Sequence, residues 1–302
     1  MKLTTLHPIP PYNFPLILNL LSRYHVAVDL SRSDHNEYWR TLRIGENLAL
    51  VRVTNAGTVD TPQLDVDLMV SYGEPDHSAV VQMVQHILST DVDWQPFYAY
   101  ARRDTQLWNI IEPVVGIRVV RAASAFEALA TTIIEQQISL RAAHKALRWL
   151  AQWAGENLFY GEPLYAFPKP AQVATATIDE LRPLKITFKR MALLIDVARR
   201  TASGELPLEQ ICTLSPHDAY RELQSIKGIG HWTAALTLIR TRGDLPFVLH
   251  NDVGLQAAVN TSYFNLPARA TPETVIEVFN RYGEFAGLAA EHVVMRRVLD
   301  FF

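Results

Sequence analysis

The hydrophobic pattern of the chain changes once, near residue 106, and this change predicts two different kinds of folded unit. Before it, several short segments alternate apolar and polar residues, which is the period of a half-buried strand. After it, that alternation disappears and apolar residues recur every three or four positions, as in amphipathic helices. We therefore predict an α+β N-terminal domain over residues 1–112, followed by an all-α domain over residues 113–302.

The predicted N-terminal domain is an antiparallel sheet with helices on one face. Strands are predicted over residues 38–44, 48–54 and 64–70, and helices over residues 14–24 and 79–88. The turn residues Gly45-Glu46-Asn47 predict that the first two strands form a hairpin. Ser78 is the predicted N-cap of the second helix, because a serine hydroxyl accepts hydrogen bonds from the free amides at a helix start.

The predicted all-α domain begins with a long amphipathic stretch, residues 125–154, which is interrupted at residues 136–139. Further helices are predicted over residues 178–184, 188–203, 216–225, 231–240, 253–260, 272–282 and 288–301. Glycine or proline separates several of these segments, as expected for short connections between packed helices. Because no linker of low complexity divides the chain, we expect the two domains to pack against each other.

The composition excludes several classes of protein. With 302 residues, of which 49% are apolar and 20% charged, the chain is long enough to bury two cores and is not a disordered protein. No apolar run reaches the roughly 18 residues of a membrane span, and the N-terminus has no signal-peptide core, so we expect a cytoplasmic protein without a membrane partner. Its one cysteine, Cys212, excludes an internal disulfide, a four-cysteine iron–sulfur cluster and a cysteine-based zinc site.

The net charge of −3 argues mildly against a nucleic-acid partner, because such proteins usually carry a basic excess. The charge is, however, unevenly distributed. Residues 1–116 carry 8 basic and 13 acidic side chains, a net charge of −5, whereas residues 117–302 carry 20 basic and 18 acidic ones, a net charge of +2. The acidic surplus thus lies in the predicted α+β part, and the helical part is slightly basic.

Two glycines spaced by one apolar residue lie between two predicted helices, in the segment Ile226-Lys227-Gly228-Ile229-Gly230. Such a pair permits a tight hairpin with unusual backbone angles. The helix that begins at His231 presents free amides and the positive end of its dipole, which together bind a phosphate without reading a base. Lys227 adds a positive charge. A helix–turn–helix corner that uses its glycines only for packing accounts for the local pattern equally well.

The residues downstream favour the phosphate-binding interpretation. Gly243, Pro246 and Asp252 follow the glycine hairpin. Together with that hairpin they resemble the signature of the helix-hairpin-helix (HhH-GPD) base-excision DNA glycosylases. The resemblance covers the predicted all-α domain, residues 113–302, and implies a helix-hairpin-helix glycosylase fold there.

Three further segments resemble the same family. Residues 133–139, IIEQQIS, are similar to its QQ-I/V-S segment, where a helix is interrupted beside the DNA. Phe167-Pro168 and the DELR run of residues 179–182 resemble its FPTP…LDELR region. The YWRTLRI segment of residues 38–44 resembles the extra N-terminal domain of the 3-methyladenine DNA glycosylase II subgroup.

The resemblance implies an enzyme of base excision repair that flips a damaged base out of double-stranded DNA and hydrolyses its N-glycosidic bond. Asp252 holds the position of the catalytic aspartate, whose carboxylate stabilises an oxocarbenium-like sugar. Aspartate is also favoured as the N-cap of the helix that follows, and both roles are compatible.

The family also implies which residues contact the DNA. Gln137, in the helix interruption, holds the position of the side chain that fills the gap in the base stack, although an ordinary surface glutamine fits the pattern as well. His231 contacts a phosphate or is simply a solvated histidine. The residues implied to bind DNA are Gln137, Lys227, Gly228, Ile229, Gly230 and His231.

The position two residues after the second glycine separates hydrolytic relatives from strand-cleaving ones. Strand-cleaving members carry a Schiff-base lysine there, whereas this chain has Trp232. The resemblance therefore implies a monofunctional enzyme with Trp232, Tyr282 and Phe285 in its base pocket. An electron-rich ring attracts a cationic alkylated base, so we expect alkylated purines of the 3-methyladenine or 7-methylguanine type as substrates. A core tryptophan is the alternative for Trp232.

The chain departs from the subgroup pattern in its expected pocket. Leu236 and Val294 stand where relatives supply further rings, and Ala286-Gly287 replaces an Arg-Ser pair. The lesion range is therefore open. An 8-oxoguanine-type glycosylase and a non-catalytic helix-hairpin-helix DNA-binding protein are the alternatives.

No cofactor is required by this interpretation, and we expect a monomer. Relatives suggest a structural monovalent cation at the hairpin, held by backbone carbonyls. The carbonyls implied are those of Gln224, Ile226 and Ile229.

Overall fold

The computed structural model describes residues 1–24, 31–33 and 36–301. Its strands are β1 (Lys2–Leu6), β2 (Ser31–Ser33), β3 (Glu37–Ile44), β4 (Asn47–Asn55), β5 (Leu64–Tyr72), β6 (Asn157–Tyr160) and β7 (Glu162–Tyr165). Its helices are α1 (Phe14–Tyr24), α2 (His77–Ile87), α3 (Gln95–Ala101), α4 (Thr105–Ile111), α5 (Ala125–Glu135), α6 (Leu140–Ala154), α7 (Pro170–Ala174), α8 (Phe188–Ala202), α9 (Leu208–Thr213), α10 (Pro216–Ser225), α11 (His231–Arg242), α12 (Val253–Phe264), α13 (Pro272–Asn280) and α14 (Ala286–Phe301). Short 3-10 helices lie at Glu112–Val114, Arg182–Leu184 and Gly283–Phe285.

The predicted α+β N-terminal domain is confirmed. Its strands form one antiparallel sheet in the order β1-β5-β4-β3-β2. Strands β3 and β4 form the predicted hairpin, in which Ile44 pairs with Asn47 and Gly45 takes the positive φ of 60° that the tight turn requires. Helices α1 and α2 cover one face of the sheet and bury Phe14 and Val84 against it.

The other face of this sheet is covered by a second, two-stranded sheet, which corrects the prediction that residues 113–302 are entirely helical. Strands β6 and β7 pair antiparallel around Gly161, and Leu158 and Leu164 pack on Leu48 and Leu50 of β4. Each strand has only four residues, so neither presents a periodic pattern long enough to identify from sequence.

The helices that follow form two apolar cores. One lies among α5, α6, α8, α10 and α11, and the other lies among α3, α4, α12, α13 and α14. The interruption predicted between residues 125 and 154 separates α5 from α6. Helices α3 and α4 precede residue 113, yet Phe97 and Leu107 pack in the second core with Val293.

Two local predictions were wrong. The N-cap of α2 is Asp76 rather than Ser78, because the Asp76 carboxylate accepts the Ser78 amide at 2.8 Å. Residues 178–184 do not form an α-helix: only Arg182–Leu184 is helical, as a 3-10 turn. Pro183 has no amide to donate to such a helix, and Lys185 ends the turn in the left-handed region at φ 55°.

None of the helices within the described residues combines the length and the apolar character needed to cross a bilayer.

Candidate active site

A cavity of about 270 Å³ lies where the two parts of the chain meet. Helices α5, α11 and α14 line one part of it with side chains at helical spacing, and residues of α1, α6, α12, β3 and the segments 118–122 and 247–252 complete the wall. From α5 come Glu127, Ala128, Thr131 and Glu135; from α11 come Trp232, Leu236, Ile239 and Arg240; from α14 come Gly287, Ala290, Glu291, Val294 and Met295. The volume lies near the lower end of the range for small-molecule sites, about 300 Å³.

Gly287 fixes the position of α14 in the cavity wall. A Cβ atom at this residue would lie 1.9 Å from the carbonyl oxygen of Leu245, so only glycine permits the observed approach. The glycine that replaces a polar residue of the subgroup pattern therefore has a packing function here. It brings the helix face that carries Glu291 and Val294 against the site.

Asp252 is the N-cap of α12 and also lies on the cavity wall, so the N-cap role is confirmed and the catalytic role stays a prediction. Its Oδ1 accepts the backbone N–H of Leu255 at 2.9 Å, as an N-cap does. Its Oδ2 accepts the indole N–H of Trp232 at 3.0 Å. Each carboxylate oxygen therefore has a donor that fixes its direction, and the group remains partly accessible.

Trp232 is half-buried in α11 and lines the cavity beside Asp252. Trp232 is therefore not a core tryptophan, which was the alternative considered for this residue. The hydrogen bond between these two side chains, 20 residues apart, carries no signal in the sequence. It depends on α11 and the start of α12 lying against each other.

Glu291 is a cavity carboxylate that sequence reasoning missed. It faces the same space as Asp252, among apolar neighbours on α14. Burial raises the pKa of Glu291 to about 7, with a further upward contribution from Asp252 that Arg240 partly opposes. The only sequence signal is its place four residues after Gly287, on the same helix face.

Two ion pairs, one buried and one partly buried, form another part of the wall. Arg40 of β3 donates to Glu127 of α5 at 2.5 Å, with side chains 7% and 9% exposed. Arg240 of α11 donates to Glu135 of α5 at 2.7 Å. The first pair joins the N-terminal sheet to the helical part, so the sheet contributes directly to the cavity.

Tyr282 and Phe285, predicted to line the base pocket, are not among the described residues that line this cavity. The Tyr282 side chain is 2% exposed, and its hydroxyl lies 3.0 Å from that of Tyr263. The Phe285 ring packs 5.1 Å from that of Tyr100. Both rings belong to the second apolar core. The aromatic rings that accompany Trp232 in the cavity are Tyr38 and Phe247.

The predicted wedge residue, Gln137, lies exposed between α5 and α6 with a left-handed φ of 54°. Its neighbour Gln136 holds the interruption in place, because its side chain donates to Thr233 at 2.8 Å and its carbonyl accepts from Arg190. The break in the helix is therefore anchored to α11 and α8. A non-glycine residue in the left-handed region is strained and is often found at functional positions.

The glycine hairpin has the backbone that its sequence predicts. Gly228 has φ 99°, and a Cβ there would press on Leu193 at 3.1 Å. Ile229 is buried and its amide donates to the Ile226 carbonyl at 3.0 Å. Lys227, Gly228 and Gly230 are exposed at the start of α11.

His231 is partly buried, and both of its ring nitrogens have partners within the chain. Its Nδ1 lies 2.7 Å from the Tyr220 hydroxyl, and its Nε2 lies 3.3 Å from the Val248 carbonyl. Its ring stacks on His250. Burial, and then His250, lower the pKa of His231. Its phosphate contact remains a prediction, as does a cation on the carbonyls of Gln224, Ile226 and Ile229. Among the described residues, no cluster of His, Cys, Asp or Glu has the arrangement of a metal site.

No family model matches the chain. A DNA-3-methyladenine glycosylase of Bacillus subtilis (strain 168) is 28% identical over 261 residues, which cover 85% of this chain and 84% of that protein. A 3-methyladenine DNA-glycosylase from Archaeoglobus fulgidus has the same fold, with a TM-score of 0.83, 22% identity and 99% of each chain covered.

A Clostridium acetobutylicum 8-oxoguanine glycosylase/lyase, solved with double-stranded DNA, also shares the fold. Its TM-score is 0.75 at 18% identity, with 100% of this chain and 99% of that one covered. The α+β sheet domain, the helix-hairpin-helix and the structural matches over the full chain all indicate the same fold. The chain therefore has the fold of the helix-hairpin-helix (HhH-GPD) DNA glycosylases and is similar in sequence to DNA-3-methyladenine glycosylases.

Proposed function

We propose that the chain is a monofunctional DNA glycosylase that hydrolyses the N-glycosidic bond of alkylated purines, of the 3-methyladenine and 7-methylguanine type, in double-stranded DNA. The observation that carries the proposal is the hydrogen-bonded pair of Trp232 and Asp252 on the wall of one cavity. A ring suited to a cationic base and a carboxylate suited to a cationic sugar thus lie side by side.

Asp252 supplies the electrostatic part of the reaction. Cleavage of the bond between base and sugar develops positive charge on the sugar ring, and a carboxylate fixed nearby stabilises that charge. The same group orients and deprotonates the attacking water. Because Trp232 and Leu255 each donate to one oxygen of Asp252, the carboxylate needs little reorganisation as the charge develops.

Trp232 supplies the preference for alkylated bases. Alkylation at a ring nitrogen makes a purine cationic, and the face of an indole ring attracts a cation by about 1–2 kcal/mol when the site is shielded from water. Tyr38 and Phe247 extend the aromatic surface of the cavity. An undamaged purine is neutral and gains less from these rings.

The residues on the same cavity wall also support a hydrolytic reaction that leaves the DNA strand intact. A strand-cleaving enzyme needs an amine that forms an imine with the sugar. No lysine is among the described residues that line the cavity, and an indole nitrogen cannot take that role. The chain therefore releases the base and leaves the strand intact.

The DNA contact that we propose uses backbone groups more than charge. The exposed backbone of Gly228 and Gly230, at the start of α11, offers amides to a phosphate, and Lys227 adds a cation beside them. Gln137, exposed in the helix interruption, fills the gap left by the flipped base. We expect modest affinity that depends on salt, because the chain as a whole is acidic.

An 8-oxoguanine-type glycosylase is the second candidate. It is favoured by the full-length likeness in fold to the Clostridium acetobutylicum 8-oxoguanine glycosylase/lyase. Trp232 opposes it, because a neutral oxidised purine gains little from cation–π attraction, and no lysine of the described part of the chain lines the cavity.

Base-release profiling of the wild-type chain tests the proposal. Duplexes that carry 7-methylguanine or 8-oxoguanine at one position, together with DNA methylated at random, are incubated with enzyme, and free bases and strand integrity are measured. We expect release of 7-methylguanine and 3-methyladenine from strands that break only after alkali. Release of 8-oxoguanine with a spontaneous strand break would support the second candidate, and binding without any release would identify a non-catalytic DNA-binding protein.

A further inference from the structure

Glu291 lines the cavity but has no role in the hydrolysis of alkylated purines proposed above. It lies on the face of α14 that Gly287 brings against the site, and its neighbours on that face are Ala290 and Val294. An ionised carboxylate among apolar side chains is costly unless a donor or a cation compensates it.

Among the described residues, the other acidic groups that line the cavity all have such compensation. Glu127 and Glu135 pair with arginines, and Asp252 accepts two N–H donors. Within the described residues, no hydrogen bond or ion pair engages Glu291. Glu291 is thus a carboxyl group without such a partner among the described residues, and it faces the space that a flipped base would occupy.

We propose that Glu291 is a catalytic residue that donates a proton to uncharged damaged purines, such as deaminated ones, and so extends the substrate range beyond cationic alkylpurines. This inference rests on the proposed glycosylase function. A cationic alkylpurine already leaves as a neutral base, whereas an uncharged purine leaves as an anion unless an acid protonates it.

The step is balanced in atoms and charge. The bond between C1′ and the purine nitrogen breaks, its electron pair goes to the base, and the Glu291 proton moves to a basic atom of that base. The oxygen of water bonds to C1′, and Asp252 accepts the proton that this water loses. Asp252 then releases its proton to solvent and Glu291 takes one up, which restores both groups and makes the net reaction a hydrolysis.

The electrostatic surroundings support a proton on Glu291 near neutral pH. Burial of Glu291 and the charge of Asp252 favour the protonated form, whereas Arg240 opposes it, with a resulting pKa of about 7. In the part of the chain that the structure describes, the other charged or titratable groups that line the cavity are Arg40, Tyr38, Arg118, Arg121, Glu127 and Glu135. Arg40 and Arg240 are each paired with a glutamate, which reduces their pull on Glu291.

The test compares hypoxanthine, an uncharged deaminated purine, with 7-methylguanine in otherwise identical duplexes. Single-turnover release is measured between pH 5.5 and 8.5 for the wild type, Glu291→Gln, and the control Glu277→Gln at an exposed position of α13. General acid catalysis contributes at least about 100-fold. We therefore expect Glu291→Gln to lower hypoxanthine release about 100-fold more than 7-methylguanine release. The control should lower neither.

The wild-type pH profile provides a second readout that needs no variant. Relative to 7-methylguanine release, hypoxanthine release should fall as the pH rises through about 7, because Glu291 loses its proton there. Equal losses for both lesions in Glu291→Gln, or a flat ratio of the two wild-type rates across this range, would overturn the role of Glu291. Failure of the wild type to release either base would instead overturn the glycosylase proposal itself.

Discussion

The glycine hairpin and the cavity meet at adjacent residues, His231 and Trp232, but they are built in opposite ways. The hairpin is contiguous, residues 226–230, and its geometry depends on the backbone freedom of Gly228. The cavity is assembled from side chains between positions 17 and 295, on helices and a strand that are distant in sequence. A contiguous backbone motif can be identified from its own residues, whereas an assembled cavity depends on how those elements pack.

This difference predicts that substitutions in the cavity lower the stability of the fold or the rate of base release, whereas substitutions at the hairpin lower only the affinity for DNA. The largest effect on stability is expected from Gly287→Ala, because its added Cβ would overlap the backbone carbonyl of Leu245. We expect a loss of about 3 kcal/mol in the free energy of unfolding, measured by urea denaturation. As a control, Gly161→Ala has open space around its Cβ and meets only the cost of a positive φ, about 1 kcal/mol. Equal losses in the two variants would show that α14 does not depend on this close approach.

A smaller effect is expected from Trp232→Phe, which keeps an aromatic ring but removes the indole donor to Asp252. A hydrogen bond to a charged group contributes about 1.5–3 kcal/mol, so single-turnover release of 7-methylguanine should fall about 10- to 100-fold. Trp153→Phe, at an exposed position of α6, is the matched control. If Trp232 acts by holding Asp252, the loss should vanish when Asp252 is already asparagine. Full additivity of the two substitutions would contradict this positioning role.

The smallest effect is expected from Lys227→Gln at the hairpin. Loss of one phosphate contact should weaken DNA binding and reduce the salt dependence of log K by about 1, without changing the release rate at saturating enzyme. Fluorescence anisotropy across a salt series measures both quantities. Lys2→Gln, at the far edge of the sheet in β1, should leave the slope unchanged. A lower rate of base release by Lys227→Gln at saturating enzyme would show that the hairpin contributes to catalysis as well as to DNA binding.

The elements predicted correctly are those with a local physical cause. Alternation over seven or more residues gave β3, β4 and β5, and the helix break before Leu140 agreed with the family motif. The predictions that failed had weaker or competing local signals. Asp76 competes with Ser78 as a helix cap, Pro183 prevents an α-helix, and the strands of the β6–β7 hairpin are too short to show a period.

The candidate site shows the same division. The sequence motif led to Asp252 and Trp232, and the structure brings both to one cavity. Tyr282 and Phe285 were expected beside them because aromatic residues are common in related pockets. The fold instead packs both rings into the second apolar core. Glu291 had no motif to mark it, because its importance arises from the packing of α14 against the start of α12.

The central claim is that one cavity, with Asp252 as its catalytic carboxylate, hydrolyses the N-glycosidic bond of alkylated purines. The most direct test is single-turnover release of 7-methylguanine by Asp252→Asn, with Asp196→Asn at an exposed position of α8 as the control. Asparagine retains the size of the side chain and an acceptor oxygen for the N-cap but loses the negative charge. We expect a fall of about 1,000-fold with DNA binding retained, and no change in the control. Release by Asp252→Asn at the wild-type rate would contradict the account.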